Sequence, residues 1–220
     1  MLNLAVCASG MVTGVGLTSP ATCAAIRCGL DNFAETRFMD RNGEWITGSH
    51  VPLAQPWRGR TKLAKLAAFS ISECLENIKG IPPDKIPLLL CVSEKSRPGR
   101  LDGIDDRLFQ EIEDELRLSF HESSAVVPQG KISGVTAVRH ADALMQQTEL
   151  PGCIIAGVDT LLTSSTLAAF EEKGRILTAD NSDGFIPGEA GAAVLVSSGS
   201  RIRAGHLVIK GTGFGKEDAH

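Results

Sequence analysis

An α/β fold is what this sequence predicts, with a mostly parallel central sheet and helices on both of its faces. Three observations point there. Apolar runs without polar alternation, such as Ile86 to Ser93, fit central strands covered on both sides. Amphipathic stretches with three- and four-residue spacing alternate with those runs along the chain. The block from Gly152 to Val196 reads strand, helix, glycine-rich turn, strand, which is a layered α/β signature.

The elements come in this order. Leu2 to Ala8 is a short apolar run ended by Ser9-Gly10. In Val12 to Pro20, Gly14 and Gly16 permit a tight turn, and Ser19 before Pro20 reads as an N-cap with proline at the first helical position. That helix runs through Ala25 and stops near Gly29. Residues 36–60 carry Pro, Gly and both Trp residues without a clean period, and are expected to form an irregular loop. Lys62 to Lys79 is the clearest helix. Its Leu63, Leu66, Ala67, Ser70, Ile71, Cys74, Leu75 and Ile78 make one buried face, and Gly80 and Pro82-Pro83 end it. After the Ile86 to Ser93 strand, Ser96 to Gly103 is a loop. Ile104 to Leu118 is an acidic amphipathic helix whose carboxylates form a solvated face. Ala125 to Pro128 is a short strand, Ser133 to Gln147 a helix, Cys153 to Gly157 a strand, and Ser165 to Lys173 a helix closed by Gly174. Val194 to Ser197 and Leu207 to Phe214 are expected to pair antiparallel through a turn at Ser198 to Gly205.

Composition narrows the function classes. With 220 residues, 43% hydrophobic and 22% charged, the chain is an ordinary globular protein, read as a single domain over residues 1–220. A net charge of −4 without a basic block argues against nucleic acid as a partner. No run of 18 apolar residues exists to span a membrane. The N-terminus has no basic region before its glycine-broken apolar stretch, so no signal peptide is read. Six cysteines scattered without a C-x-x-C pair fit free thiols in a reducing cytoplasm. His50, His121 and His206 lack metal-ligand spacing, and Gly130-Lys131 lacks the spacing of a phosphate loop, so neither a metal nor a cofactor is expected.

Several short motifs occur in a telling order. Val12 to Pro20 runs apolar-Thr-Gly-apolar-Gly and then Ser-Pro, and Ala24-Ala25-Ile26 leads through Gly29 to Phe33. Ile155-Ala156-Gly157 closes a strand, with Val158 next. Asp183-Gly184-Phe185, Gly188-Glu189 and Gly191 form a turn, with Ser182 before it. Gly211 to Gly215 and Asp218-Ala219-His220 come last. In these residues the chain resembles the N-terminal half of the β-ketoacyl-[acyl-carrier-protein] synthases, condensing enzymes of the thiolase fold. Val158 stands where that family has a second glycine, and Ser182 where it has arginine. Glu189 is read as a structural support that accepts backbone amides in the turn.

Two departures shape the expected function. The family's nucleophilic cysteine starts the helix about two dozen residues before the Ala-Gly strand end, where a helix N-terminus lowers the thiol pKa. Here that window, which holds Gly130, Ile132, Ser133 and Gly134, has no cysteine. The nearest, Cys153, reads as a buried apolar residue. Ser133 has no base in reach, since His140 is seven residues on, roughly 10 Å of helical rise. Ser133 is therefore read as an N-cap. Secondly, the family's two catalytic histidines lie in a second half that this sequence does not contain, so the chain is read as a fragment of a longer protein. The resemblance thus implies a catalytically degenerate scaffold or accessory protein, a homodimer, with an acyl carrier protein or another protein as its partner. Divergent relatives of this kind occur beside bacterial secretion genes. The alternative is the N-terminal part of an active 3-oxoacyl synthase of fatty-acid or polyketide synthesis. Alone, the 220-residue chain is expected to be inactive.

Overall fold

A computed structural model describes residues 2–77, 80–198 and 205–215. In chain order the elements are β1 (Leu4–Val12), α1 (Ser19–Arg27), β2 (Ala34–Met39), β3 (Trp45–Gly48), α2 (Gly59–Glu76), β4 (Leu88–Cys91), α3 (Leu108–Leu116), β5 (Ala125–Val127), α4 (Ser133–Gln147), β6 (Cys153–Thr160), α5 (Ser164–Glu172), β7 (Glu189–Ser198) and β8 (Leu207–Ile209). Six strands form one sheet in the order β5-β4-β6-β7-β1-β8. β4 pairs in parallel with both β5 and β6, whereas β7 runs antiparallel to β6 and β1, and β8 antiparallel to β1. Four of the six strands therefore point the same way, and the two reversed strands are β7 and β8.

The unalternated apolar runs explain why both faces of the sheet are covered. In β4, Leu88 and Leu90 enter one core with Leu66, Ile71, Leu108 and Ile112 of α2 and α3. Leu89 and Cys91 enter the other, with Ala137 and Ala141 of α4. Each leucine fully buried in this way contributes roughly 1.5–3 kcal/mol. Small residues set the helix-to-sheet distance. A Cβ on Gly191 would lie 2.4 Å from the Leu66 carbonyl oxygen, and one on Gly10 would lie 1.9 Å from that of Ser70. Glycine at these two positions lets α2 lie directly across β7 and β1.

Several expectations need correction. The 36–60 stretch is not an irregular loop throughout. β2 and β3 pair as an antiparallel hairpin, and burial alternates along β2. The Asp40–Glu44 turn closes it, with Gly43 at φ +84° and the Asp40 carboxylate accepting from Asn42 and Glu44 amides, each at 2.9 Å. The helical period is absent there because the period is two. α2 begins at Gly59, while Ile78 and Lys79 lie outside the described residues. The N-cap of α1 is Thr18, whose hydroxyl accepts from the Ala21 amide at 3.3 Å, and Ser19 is the first helical residue. Ile104 is buried but precedes α3 in a turn, because Gly103 sits at φ +75° and delays the helix. Finally, β7 and β8 are not neighbours. β1 lies between them and pairs with both. Of the connecting stretch, residues 199–204 lie outside the described residues, as do Asp218, Ala219 and His220.

The glycine contacts make a paired prediction. Gly191→Ala forces a side chain against the α2 backbone and costs about 1–3 kcal/mol in urea unfolding, as overpacking does. Gly134→Ala, in open space in the first turn of α4, instead stabilises by roughly 0.4–1 kcal/mol, as replacing glycine at a conformationally compatible site does.

Candidate functional site

The parallel strands β4, β5 and β6 end on one side of the sheet, and α4 begins there. This is where α/β folds place ligands. A cleft of about 340 Å³ opens at that point, with Cys91, Gly130, Ser133, Gly157 and Asp159 in its lining. The predicted window leads into it. After β5 the chain makes a 3-10 turn over Gly130–Ile132 and enters α4 at Ser133.

Ser133 is neither nucleophile-like nor an N-cap. Ile132 takes the cap position, without a side-chain cap bond. Ser133 is 1% exposed, and its hydroxyl accepts from the Gln129 amide at 3.0 Å and donates to the Val127 carbonyl at 2.8 Å. It pins the turn to the end of β5 and, among the described residues, its hydroxyl bonds only to backbone groups. Gly130 is held at φ +56°, and a Cβ there would meet the Glu94 carboxylate at 2.2 Å. Gly134 faces open space, and Ile132 is exposed.

One thiol does reach the cleft, from a strand end that no sequence motif marks. Cys91, at the end of β4, is 8% exposed, and burial pushes its pKa up to about 11. A thiol so held is protonated at neutral pH and a poor nucleophile. Cys153 lies on the same face of the sheet, fully buried, with its pKa pushed up to about 12 by burial.

Three residues with no motif of their own form an ionic cluster that reaches the cleft through Asp159. Arg97, on the loop after β4, is 8% exposed and bonds to Glu94 through Nη2 at 2.9 Å and to Asp159 at the end of β6. Burial opposes the Arg97 cation, but the two carboxylates outweigh it and hold its pKa above the ordinary value. The hydrogen bond from Arg97 holds Glu94 below the usual carboxylate range. Asp159 goes the other way. Protein surrounds it at the base of the cleft although its side chain is 44% exposed, and that desolvation lifts its pKa against the pull of Arg97. Glu94 and Arg97 lie on the loop after β4 and Asp159 is the penultimate residue of β6, so only the topology brings the three together.

The glycine turn forms a second constellation nearby. Gly184 packs where a Cβ would sit 2.0 Å from the Ile176 carbonyl carbon, and Phe185 stacks edge-to-face on Phe170. Asp183 precedes them in the turn and is exposed. Gly188 bridges to Ser49, and its carbonyl accepts from the Leu161 amide at 3.0 Å. Glu189 is 8% exposed. Its carboxylate accepts from the Val51 amide at 3.0 Å and the Thr160 hydroxyl at 3.0 Å, and it forms an ion pair with Lys62. Ala156 and Gly157 lie in β6, paired across to Ala193 and Ala192. A Cβ on Gly157 would make ordinary contact with Cys91 at 3.8 Å. Among the described residues no cluster of His, Cys, Asp and Glu could hold a metal ion, and no helix is long and apolar enough to cross a membrane.

This frame has the thiolase-like fold of solved ketosynthase structures. An ishigamide ketosynthase/chain length factor superposes with a TM-score of 0.65 at 16% identity, over 91% of this chain and 63% of that one. A type II PKS acyl-carrier protein in complex with its ketosynthase bound to the hexaketide gives a TM-score of 0.68 at 12% identity, over 90% and 58%. A beta-ketoacyl synthase from Burkholderia phymatum STM815 gives 0.62 at 14% identity, over 90% and 59%. The chain thus spans about three fifths of the length of these structures. No family model matches the sequence, and no curated protein matches it.

The raised pKa of Asp159 fixes the sign of a pH effect. Below the ordinary aspartate pKa of about 3.9 the carboxyl is protonated whether the chain is folded or not. As pH rises through the raised folded value, the unfolded chain has already released its proton, so folded stability is lost. The stability of the native chain relative to Asp159→Asn is therefore expected to fall between pH 4 and neutrality, read by urea unfolding across that range.

Proposed function

We propose that the chain serves as a ketosynthase-like scaffold in carrier-linked acyl chemistry, binding a protein partner without forming an acyl-enzyme. One observation carries this reading. The site at which strands β4 to β6 and the α4 N-terminus converge offers a serine tied to backbone carbonyls and a thiol made inert by burial. Covalent acyl transfer needs an activated nucleophile with a base in reach. The structures of similar fold fit a partner role. Their descriptions include a chain length factor and a ketosynthase in complex with an acyl-carrier protein.

In this reading the protein works in the bacterial cytoplasm as a homodimer. β5, an edge strand, leaves one side open for a second copy. Glu189 and its glycines support the turn, and no residue of the 130–134 window acts on substrate. The partner's identity then separates an accessory of fatty-acid or polyketide synthesis from an adaptor tied to bacterial secretion.

A second reading is supported by chain length. The chain spans 58–63% of the three structures compared above, so it also fits the N-terminal part of a longer 3-oxoacyl synthase. Titration of a purified acyl carrier protein against the chain, read by fluorescence anisotropy, tests the scaffold. The Cys91→Ala/Ser133→Ala double variant is expected to bind as the native chain does, because this reading gives neither side chain a part in partner binding. Binding lost in the double variant, or absent in both proteins, would refute it.

A further inference from the structure

A cavity of about 410 Å³ lies apart from the nucleophile window, between β2, the 50–58 segment, the start of α2, the end of β6 and the start of β7. That volume falls among ordinary small-molecule sites. Its apolar wall includes Phe38, Leu53 and Trp57, and its cations come from two separate elements, Arg37 on β2 and Arg58 and Lys62 around the start of α2. Arg58 is the extended residue that precedes α2, Lys62 lies in the first turn of that helix, and both line the cavity.

The charge accounting favours an anion. Lys62 has three donors and gives one to Glu189, leaving two without an acceptor among the described residues. Neither Arg37 nor Arg58 has an ion-pair partner among the described residues. Of the two carboxylates at the cavity, Glu189 is already engaged by Lys62 and Glu35 is solvated. In a chain with a net charge of −4, this concave site is lined by a local excess of positive groups. Cations beside an apolar wall suit a ligand with both characters, because charge-assisted hydrogen bonds hold its head and apolar burial holds its body.

We propose that this cavity binds a small organic anion, a phosphate or carboxylate head on a compact apolar body. The head lies among Arg37, Arg58 and Lys62, and the body lies against Phe38, Leu53 and Trp57. The site uses none of the side chains of the 130–134 window, so it stands or falls independently of the scaffold reading.

Trp57 supplies a local readout. The chain has two tryptophans, and Trp45→Phe leaves Trp57 as the reporter. In that background, hexyl phosphate is expected to change the Trp57 emission saturably. Hexanol and inorganic phosphate, each carrying half of the required chemistry, bind at least about tenfold more weakly. Arg37→Glu/Arg58→Glu, at two solvated positions, weakens hexyl phosphate by about tenfold or more while far-ultraviolet circular dichroism stays unchanged. No saturable change, equal binding of hexanol, or undiminished binding to the folded double variant would overturn the proposal.

Discussion

The buried carboxylate of Glu189 ties the molecule together where its parts meet. It stands at the first residue of β7 and takes donors from three other segments: the Val51 amide, the Lys62 ammonium and the Thr160 hydroxyl at the end of β6. A carboxylate removed from water is costly unless its lone pairs are filled, and here three donors fill them. The tie also positions the strand that starts from it. Two residues on, Gly191 admits α2 against the sheet, and α2 in turn covers β1, β7 and β6. One short stretch thus sets the hairpin-side loop, the long helix and the antiparallel centre of the sheet.

The same frame delivers strand ends and the N-terminus of α4 to one cleft. The residues that occupy that point here are structural. Ser133 closes the turn onto β5, Gly130 makes room for Glu94, and Arg97 draws Glu94 and Asp159 into one ionic cluster. Fold and chemistry are separable, so the shared frame does not by itself assign a reaction to this cleft.

Much of this architecture was legible in the residues. β4, α4 and β6 were readable because each has one strong signal, an uninterrupted apolar run or a sustained helical period. The glycines at 184, 188 and 191 marked a turn whose crowding only glycine tolerates or eases. The β2–β3 hairpin was missed because its alternation is short and its wide Asp40–Glu44 turn was read as part of a loop. The separation of β7 from β8 was unreadable for a different reason. β1 enters between them from nearly 200 residues away, and no local pattern encodes such a long-range pairing. The Arg97 cluster likewise joins residues from two strand ends, and its members have no shared spacing in the sequence.

The central claim is that the cleft forms no acyl-enzyme. Intact mass of the protein, before and after incubation with malonyl- and acyl-carrier thioesters, tests it most directly. A mass that stays at the 23.3 kDa of the chain, with no adduct, is the predicted result. A stable acyl adduct mapped to Ser133, Cys91 or another residue of the cleft would contradict the account and make this chain part of a working acyltransferase.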